Sequence, residues 1–569
     1  MLSAASPAQA HSVLVPMADG VRLAVDVHLP EDGGGRWPAL LELTRYWRAG
    51  ETAAGAPQDP LTGLDRFFLR HGYALVKVDV RGSGASFGHR VAEYGPDEVR
   101  DGHAIVEWVA TQPWCSGAVG AFGTSYSGTT AELLAASGHP ALKAVVPGWS
   151  DFDVYRSPAR PYGLYAEGLI DAWGALVAAL DAGGERQRVR PVAADADGAL
   201  RAAAIAEHAD NVDVATSVAA AECRDTDLGG GVSLAECSAL HWQRQIEAAG
   251  VPMLVFASWL DAGTAAGALE RLHRFSNPQH LVVLASCHGG FRHASPFATG
   301  AQPGPPVPSE DEQFRLRLQF FDRHLRGDDH GEAWPTVRWF HMGSERMLAS
   351  DEWPPKGVAP QAWFLAADGA LAPAPGAPGV DRYEVDFDVT TGIANRWATQ
   401  MGVPVVLPRR ERTDERMLMY TTAPLEDDLH VTGTPELFVR LTSDRTDGAL
   451  LVYLEDVDPD GRSRYVTEGG LRLVHRPKAL AGGAVHEPSF AAADRRPLVP
   501  GEPIDLALRL QPTSMCWRRG HRLRLAIAGA DRGTFARVPE AGDVTMHVAR
   551  GGSAAIASRL VLPVGPAPR

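Results

Sequence analysis

The chain has 569 residues, 45% hydrophobic and 22% charged, a composition that fits a soluble globular protein of two to four packed domains. Its 54 Lys and Arg stand against 69 Asp and Glu, a net charge of -15 with no basic block. That balance argues against nucleic acid as a partner, because such affinity rests on clustered cations, and no run of about eighteen apolar residues offers a membrane span.

Met1 to Ala10 has no Lys or Arg and no apolar core of a secretory signal. The cysteines Cys115, Cys223, Cys237, Cys287 and Cys516 are scattered. The expectation is a cytoplasmic protein with reduced thiols, with pairing of Cys223 and Cys237 across a short loop as the alternative. Neither the cysteines nor any other stretch has metal-ligand spacing, so no metal or other cofactor is expected.

Val13 to Pro30 alternates apolar and polar residues around Asp19-Gly20 and predicts a β-hairpin, with Val21, Leu23, Val25 and Val27 on one face and Arg22, Asp26 and His28 on the other. Pro38 to Leu43 and Ala74 to Val80 predict buried strands; the first empties into Thr44-Arg45-Tyr46-Trp47 and the second into the loop Arg81-Gly82-Ser83-Gly84-Ala85-Ser86. That loop lacks the full G-x-G-x-x-G spacing of a dinucleotide site and reads as a tight turn. Asp97 to Thr111 has helical periodicity. It leads to Gly120-Ala121-Phe122-Gly123-Thr124-Ser125-Tyr126-Ser127-Gly128, an apolar strand, a sharp turn at a serine and a helix. This is the pattern of a nucleophile elbow, with the final glycine one place later than in G-x-S-x-G.

Between Gly148 and Gly250 the pattern turns to alanine-rich helices such as Ala172 to Ala182 and Leu200 to His208, an insertion expected to cap the mouth of a parallel sheet. Strand regularity returns at Val251 to Ala257 and His280 to Ala285, placing Asp261 and His288 just beyond two strand ends, where ligand chemistry collects in such sheets. The order Ser125, Asp261, His288 is the acid-before-histidine order of α/β-hydrolases. Glu312 to Arg326 predicts a helix, and from about Gln361 short alternating strands with turn signals predict a β-sandwich ending in a loose tail, Val564 to Arg569.

Taken together, Asp79-Val80-Arg81-Gly82-Ser83-Gly84, Glu107 to Trp114, Gly123 to Gly128, Trp259-Leu260-Asp261, Phe321 to Gly327 and Gly520 to Arg524 resemble the serine hydrolases that include cocaine esterase, α-amino-acid ester hydrolases and X-prolyl dipeptidyl-peptidase. The resemblance implies an α/β-hydrolase core with an inserted helical cap and a C-terminal all-β jelly-roll sandwich. The expected division is 1–147 and 251–355 for the core, 148–250 for the cap and 356–569 for the sandwich. It also implies Ser125 as nucleophile, Asp261 as acid, His288 as base, and an oxyanion hole made by the Tyr46 hydroxyl and the Tyr126 backbone N–H. Leu284-Ala285-Ser286-Cys287-His288 lacks the proline and tryptophan that the family commonly has before its histidine, so His293 is kept as a second candidate base.

The expected reaction is cleavage of an ester or amide through an acyl-enzyme, with a small molecule or short peptide as substrate and self-association left open. Trp149, Asp151, Tyr155 and Trp259 are candidate substrate contacts, with carboxylates such as Asp151 and Asp153 suited to a substrate ammonium. The alternative is that Asp151 caps a helix while Trp149 and Tyr155 fill a domain interface. Two other functions compete: acyl transfer to an amine or alcohol on the same triad, and a non-enzymatic binding protein on a hydrolase scaffold.

Overall fold

Runs of buried Val, Leu and Ala build the centre of the molecule. The computed structural model describes residues 10–31, 34–298, 303–331, 333–477, 485–554 and 557–567; the N-terminal segment before Ala10 and the last two tail residues lie outside the described residues. Ten strands form the main sheet: β1 (Ala10–Pro16), β2 (Arg22–His28), β3 (Trp37–Thr44), β4 (Ala74–Asp79), β5 (Cys115–Thr124), β6 (Leu142–Gly148), β7 (Met253–Ser258), β8 (Gln279–Leu284), β9 (Val337–His341) and β10 (Arg346–Ser350). Their order is β1-β2-β4-β3-β5-β6-β7-β8-β9-β10, parallel from β4 through β9 and antiparallel at both edges. Strands such as β4 and β7 are buried along their whole length, as parallel strands covered on both faces must be.

The expected hairpin is formed by β1 and β2, and both faces of β2 are buried. Asp26 and His28 are buried, because β2 lies inside the sheet and the loop after β3 folds over it. Arg48 of that loop pairs with Asp26 at 2.9 Å and with Asp79 at 3.1 Å, all three side chains shut away from solvent. The alternation of residue types was that of an amphipathic strand; a buried ion pair on its polar side makes it an interior one.

Helices α1 (Gly63–Arg70), α2 (Pro96–Ala110) and α3 (Tyr126–Leu134) follow β3, β4 and β5 or lead into them. Between β6 and β7 lie α4 (Glu167–Asp181), α5 (Ala199–Glu207), α6 (Val214–Ala220) and α7 (Gln243–Ala249), the helical cap inserted into the sheet's connectivity. Helix α8 (Thr264–Arg274) joins β7 to β8, and α9 (Glu310–Phe321) precedes β9, starting at a capping box formed by Ser309 and Glu312.

The C-terminal part is all β. One layer contains β11 (Ala359–Leu365), β12 (Gly379–Glu384), β14 (Leu429–Gly433), β15 (Glu436–Ser443), β18 (Ile504–Arg509), β19 (Thr513–Trp517), β21 (Thr545–Arg550) and β22 (Arg559–Gly565). The other is β13 (Leu418–Thr421), β20 (Arg522–Ala528), β16 (Ala449–Val457) and β17 (Ser463–Arg472), paired in that order. Val564 and Gly565, expected in a loose tail, end β22, where they pair with β11 and β14. All five cysteines are free and buried.

Helix α3 is buried from Tyr126 to Leu134, and its Glu132 forms an ion pair with Arg271 of α8 with neither side chain exposed. The pair joins the helix that follows Ser125 to the helix that follows Asp261. Removing one partner would strand the other charge in the core, so Glu132→Ala is expected to cost about 3 to 5 kcal/mol of stability. A joint change to Leu at 132 and Met at 271 should recover much of that loss. Urea unfolding of the three proteins measures both effects, and an unchanged midpoint in Glu132→Ala would refute the assignment.

Candidate active site

Ser125 sits between β5 and α3 at φ 64 and ψ -125, a region non-glycine residues rarely occupy. Three glycines make room for it. A Cβ on Gly123 would lie 2.3 Å from the Ser127 backbone, one on Gly128 would lie 2.4 Å from the Gly148 carbonyl oxygen, and one on Gly148 would meet the Gly123 oxygen at 2.9 Å. The late glycine of the motif is therefore set by the close pass of α3 against the end of β6. The Ser125 amide donates to the Gly148 carbonyl at 2.9 Å, which ties the turn to that strand.

His288 lies in a short turn after β8, and its Nδ1 is 2.8 Å from Asp261 Oδ2. Asp261 is wholly buried after β7, while His288 Nε2 is buried without a hydrogen-bond partner among the described residues. Burial alone would push the imidazole's pKa down; the charge and hydrogen bond of Asp261, with the charge of Asp151, overcome it and leave it raised above 6.5. His293, the second candidate base, turns elsewhere: its ring packs on Phe340 and its Nε2 faces Glu345 at 3.4 Å.

A segment at the start of the sandwich braces these turns. Thr399 Oγ1 accepts the His288 amide at 3.0 Å, Arg396 Nε donates to the Ala262 carbonyl at 2.9 Å, and the Ala262 amide donates to the Arg396 carbonyl at 2.7 Å. Sequence patterning gave no sign of this, since Thr399 and Arg396 stand in an irregular stretch over a hundred residues from Asp261.

Tyr46 and Tyr126 come together, their rings edge to face with centroids 5.9 Å apart. Tyr46 follows β3, and its loop is held by buried guanidiniums on either side, Arg48 as above and Arg45 with Glu93 at 3.2 Å and Asp181 at 2.9 Å. The Tyr46 hydroxyl accepts a hydrogen bond from Trp173 Nε1 of α4 at 2.9 Å and so keeps its own proton to donate. Although the Tyr46 side chain is partly exposed, desolvation by its surroundings pushes the hydroxyl's pKa up to about 12 against the opposing charge of Arg45. Tyr126 opens α3, and the amide of a helix's first residue has no carbonyl partner within the helix. Its phenol donates to the Glu98 carboxyl at 2.8 Å. Burial and the charge of Glu93 raise that carboxyl's pKa to about 7.

Tyr46, Ser125 and Asp151 line one small pocket together with Tyr94, Trp173 and Gln400. Asp151 accepts a hydrogen bond from Ser157 Oγ at 3.0 Å, and burial, helped by the charge of Asp261, raises its pKa to about 7. The other candidate contacts lie outside this pocket. Trp149 is buried under the sheet, stacked on Phe256; Tyr155 donates to the Glu222 carbonyl at 2.8 Å and packs on Phe490 of the sandwich; Trp259 donates to the Phe340 carbonyl at 2.7 Å and stacks on Trp353. Asp153 is engaged by Arg156 and Arg224. Trp173 and Gln400 were not legible as pocket residues, because one is a single aromatic on an amphipathic helix and the other belongs to a different domain.

The structure holds a serine hydroxyl at a helix N-terminus, an imidazole bonded to a buried carboxylate, and a phenol that lines one pocket with the serine. Among the described residues, the one group of His, Cys and carboxylate ligands spaced for a metal ion lies in the sandwich, at Asp428, His430 and Cys516.

The chain matches two family models, described as X-Pro dipeptidyl-peptidase (S15 family) over residues 19–290 and X-Pro dipeptidyl-peptidase C-terminal non-catalytic domain over residues 330–558. A Mycobacterium bovis protein provisionally named a serine esterase is 38% identical over 97% of this chain and 95% of its own. Cocaine esterase of a Rhodococcus species is 28% identical over 94% of this chain and 93% of its own. The solved structure of an α-amino-acid ester hydrolase, 21% identical, superposes with a TM-score of 0.72 over 99% of this chain and 98% of that one, a likeness of fold.

The His288 environment can be tested apart from any reaction. By NMR its imidazole should titrate above 6.5, and Asp151→Asn, which removes one of the charges that raise it, should move the titration to lower pH. A titration that Asp151→Asn leaves in place would mean that the two groups do not interact.

Proposed function

This chain belongs to the serine hydrolase family that takes in the S15 X-Pro dipeptidyl-peptidases and cocaine esterase, and on that premise we propose that Ser125 cleaves a small ester or amide through an acyl-enzyme. Hydrolysis of ester or peptide bonds is the activity of the family. The observation that carries the finer reading is the polarity of His288: Nδ1 is bonded to a buried carboxylate, and the buried Nε2, without a partner among the described residues, remains to serve a nucleophile.

In this reading His288 Nε2 takes the proton of the Ser125 hydroxyl as the oxygen attacks the carbonyl carbon. The oxyanion is met by the Tyr46 hydroxyl and the Tyr126 amide, and Asp261 stabilises the imidazolium. Collapse expels the alcohol or amine, which receives the proton from His288. Water then repeats the sequence on the acyl-enzyme and releases the acid. Asp151 is the polar feature of the pocket that could choose a substrate. A buried carboxyl facing Ser125 across a small pocket, and bonded to a hydroxyl, suits a substrate with a free ammonium near its carbonyl.

Ser125→Ala is expected to abolish turnover of p-nitrophenyl esters, amino-acid esters and X-Pro anilides alike, and to abolish covalent labelling by a fluorophosphonate. Wild-type turnover in that variant would overturn the mechanism. Tyr46→Phe should lower kcat by on the order of a hundredfold with little change in KM, as for loss of one oxyanion donor. Trp173→Phe keeps the ring but removes the hydrogen bond to Tyr46, and should lower kcat in the same sense by less. Asp151→Asn should reduce kcat/KM on amino-acid esters by about tenfold or more, about 1.4 kcal/mol, relative to neutral esters; an equal effect on both would remove Asp151 from substrate recognition.

A further inference from the structure

Strands β14 and β19 run antiparallel in the sandwich with His430 directly opposite Cys516, so the two side chains share a face. Asp428 stands just before β14. Cys516 Sγ is 3.9 Å from Asp428 Oδ2 and 4.0 Å from His430 Nε2, and the three ligand atoms all lie within 4.8 Å of one another. Around a tetrahedral zinc ion with Zn–S of about 2.3 Å and Zn–N or Zn–O of about 2.0 Å, neighbouring donor atoms are about 3.5 Å apart. A small rotation of the side chains closes that difference.

Each ligand is held by groups behind it. His430 Nδ1 is 3.1 Å from His341 Nε2, and the two rings stack with centroids 5.4 Å apart. One proton can lie between those nitrogens. With His341 donating through Nδ1 to Ser514 Oγ, at 2.7 Å, its Nε2 accepts from His430 Nδ1–H. His430 Nε2 then presents its lone pair to Cys516 and Asp428. A metal-binding histidine needs such a partner on its second nitrogen. Asp428 Oδ1 accepts the Arg519 amide at 2.7 Å, leaving Oδ2 on the side of the thiol. Arg518 lies 3.1 Å from Oδ2 and also donates to the Gly343 carbonyl at 2.6 Å, an anchor it keeps when the carboxylate turns to a cation.

We propose that Asp428, His430 and Cys516 bind one borderline-soft divalent cation of the zinc type. On binding, the cysteine thiol gives its proton to solvent and its sulfur coordinates the ion. Thiolate and carboxylate together then match the charge of the cation, and the neutral imidazole makes the third bond. Asp428 is exposed, so water completes the tetrahedron. The site stands on the seam between core and sandwich. His341 ends β9 of the core, and the Met342 amide and carbonyl bond Ser514 O and the Cys516 amide of β19, each at 3.0 Å. A bound ion would clamp that seam, and the reaction at Ser125 does not call on it.

The test uses the full-length protein stripped with a chelator and desalted. Zinc titrated in competition with a chromogenic chelator should show one site, and saturating zinc should raise the melting temperature. Cobalt in place of zinc should give a thiolate-to-metal charge-transfer band. Cys516→Ser should abolish that band, Cys516→Ser and His430→Ala should each weaken zinc binding at least tenfold, and His341→Phe should weaken it about 10- to 100-fold through loss of the supporting acceptor. Ester hydrolysis by the stripped wild type should equal that of the zinc-loaded protein. Absence of one-to-one zinc binding, or absence of the charge-transfer band in the wild type, overturns the proposal without any variant. Binding and band unchanged in Cys516→Ser would place the metal elsewhere and overturn it equally.

Discussion

The close pass of α3 against the end of β6 is the constraint on which the site depends. Gly123, Gly128 and Gly148 let three backbone segments approach to distances that no side chain would allow, and Ser125 is held in its unusual conformation between them. A larger residue at any of the three would push α3 away from the sheet. Moving the helix would also move the Tyr126 amide, because the serine and that amide are consecutive in the chain. The nucleophile and half of the proposed oxyanion hole are thus one rigid object, and Glu132 pins its far side to α8.

The other parts of the site reach this object through buried charge. Tyr46 is carried on a loop flanked by Arg45 and Arg48, each paired with two carboxylates. One of these, Asp181, closes α4 of the cap, and Trp173 of the same helix meets the Tyr46 hydroxyl. The cap therefore supports the proposed oxyanion donor from both ends. The sandwich does the same for the histidine turn, through Thr399 to the His288 amide and Arg396 to Ala262 beside Asp261. Breaking a buried, paired network of this kind costs far more than losing a surface ion pair, which keeps three domains in one register.

This organisation explains what the sequence disclosed. Strand ends followed by Ser125, Asp261 and His288 were legible because a parallel sheet writes itself as apolar runs, and chemistry follows the carboxyl end of each run. The displaced glycine of the elbow was visible; its reason, the Gly148 carbonyl, was not, since it lies on another strand. That Asp26 and His28 are buried was not legible, because alternation reports only that two faces differ in polarity, and an ion pair can bury the polar one. Pocket residues and the proposed metal ligands were hidden for a related reason. Trp173 and Gln400 line the Ser125 pocket from separate parts of the chain, and Cys516 lies opposite His430 only through strand pairing, 86 positions apart in sequence, where no local spacing pattern exists to be read.

Two carboxyl groups in different surroundings act on one imidazole. Asp261 is bonded to His288 and tied into the turn that Arg396 holds. Asp151 has a serine hydroxyl for its hydrogen bond, and burial leaves its pKa raised to about 7. Near neutral pH such a group exchanges readily between acid and carboxylate. In the proposed reading, an uncharged ester would meet it in part as a neutral acid, whereas the positive charge of an ammonium would lower its pKa, so that its proton leaves to solvent and the carboxylate forms an ion pair with the substrate. Selectivity for a cationic acyl group would then arise from the proton equilibrium of one buried residue, while the imidazole, oriented by a carboxylate of its own, keeps its role for either substrate.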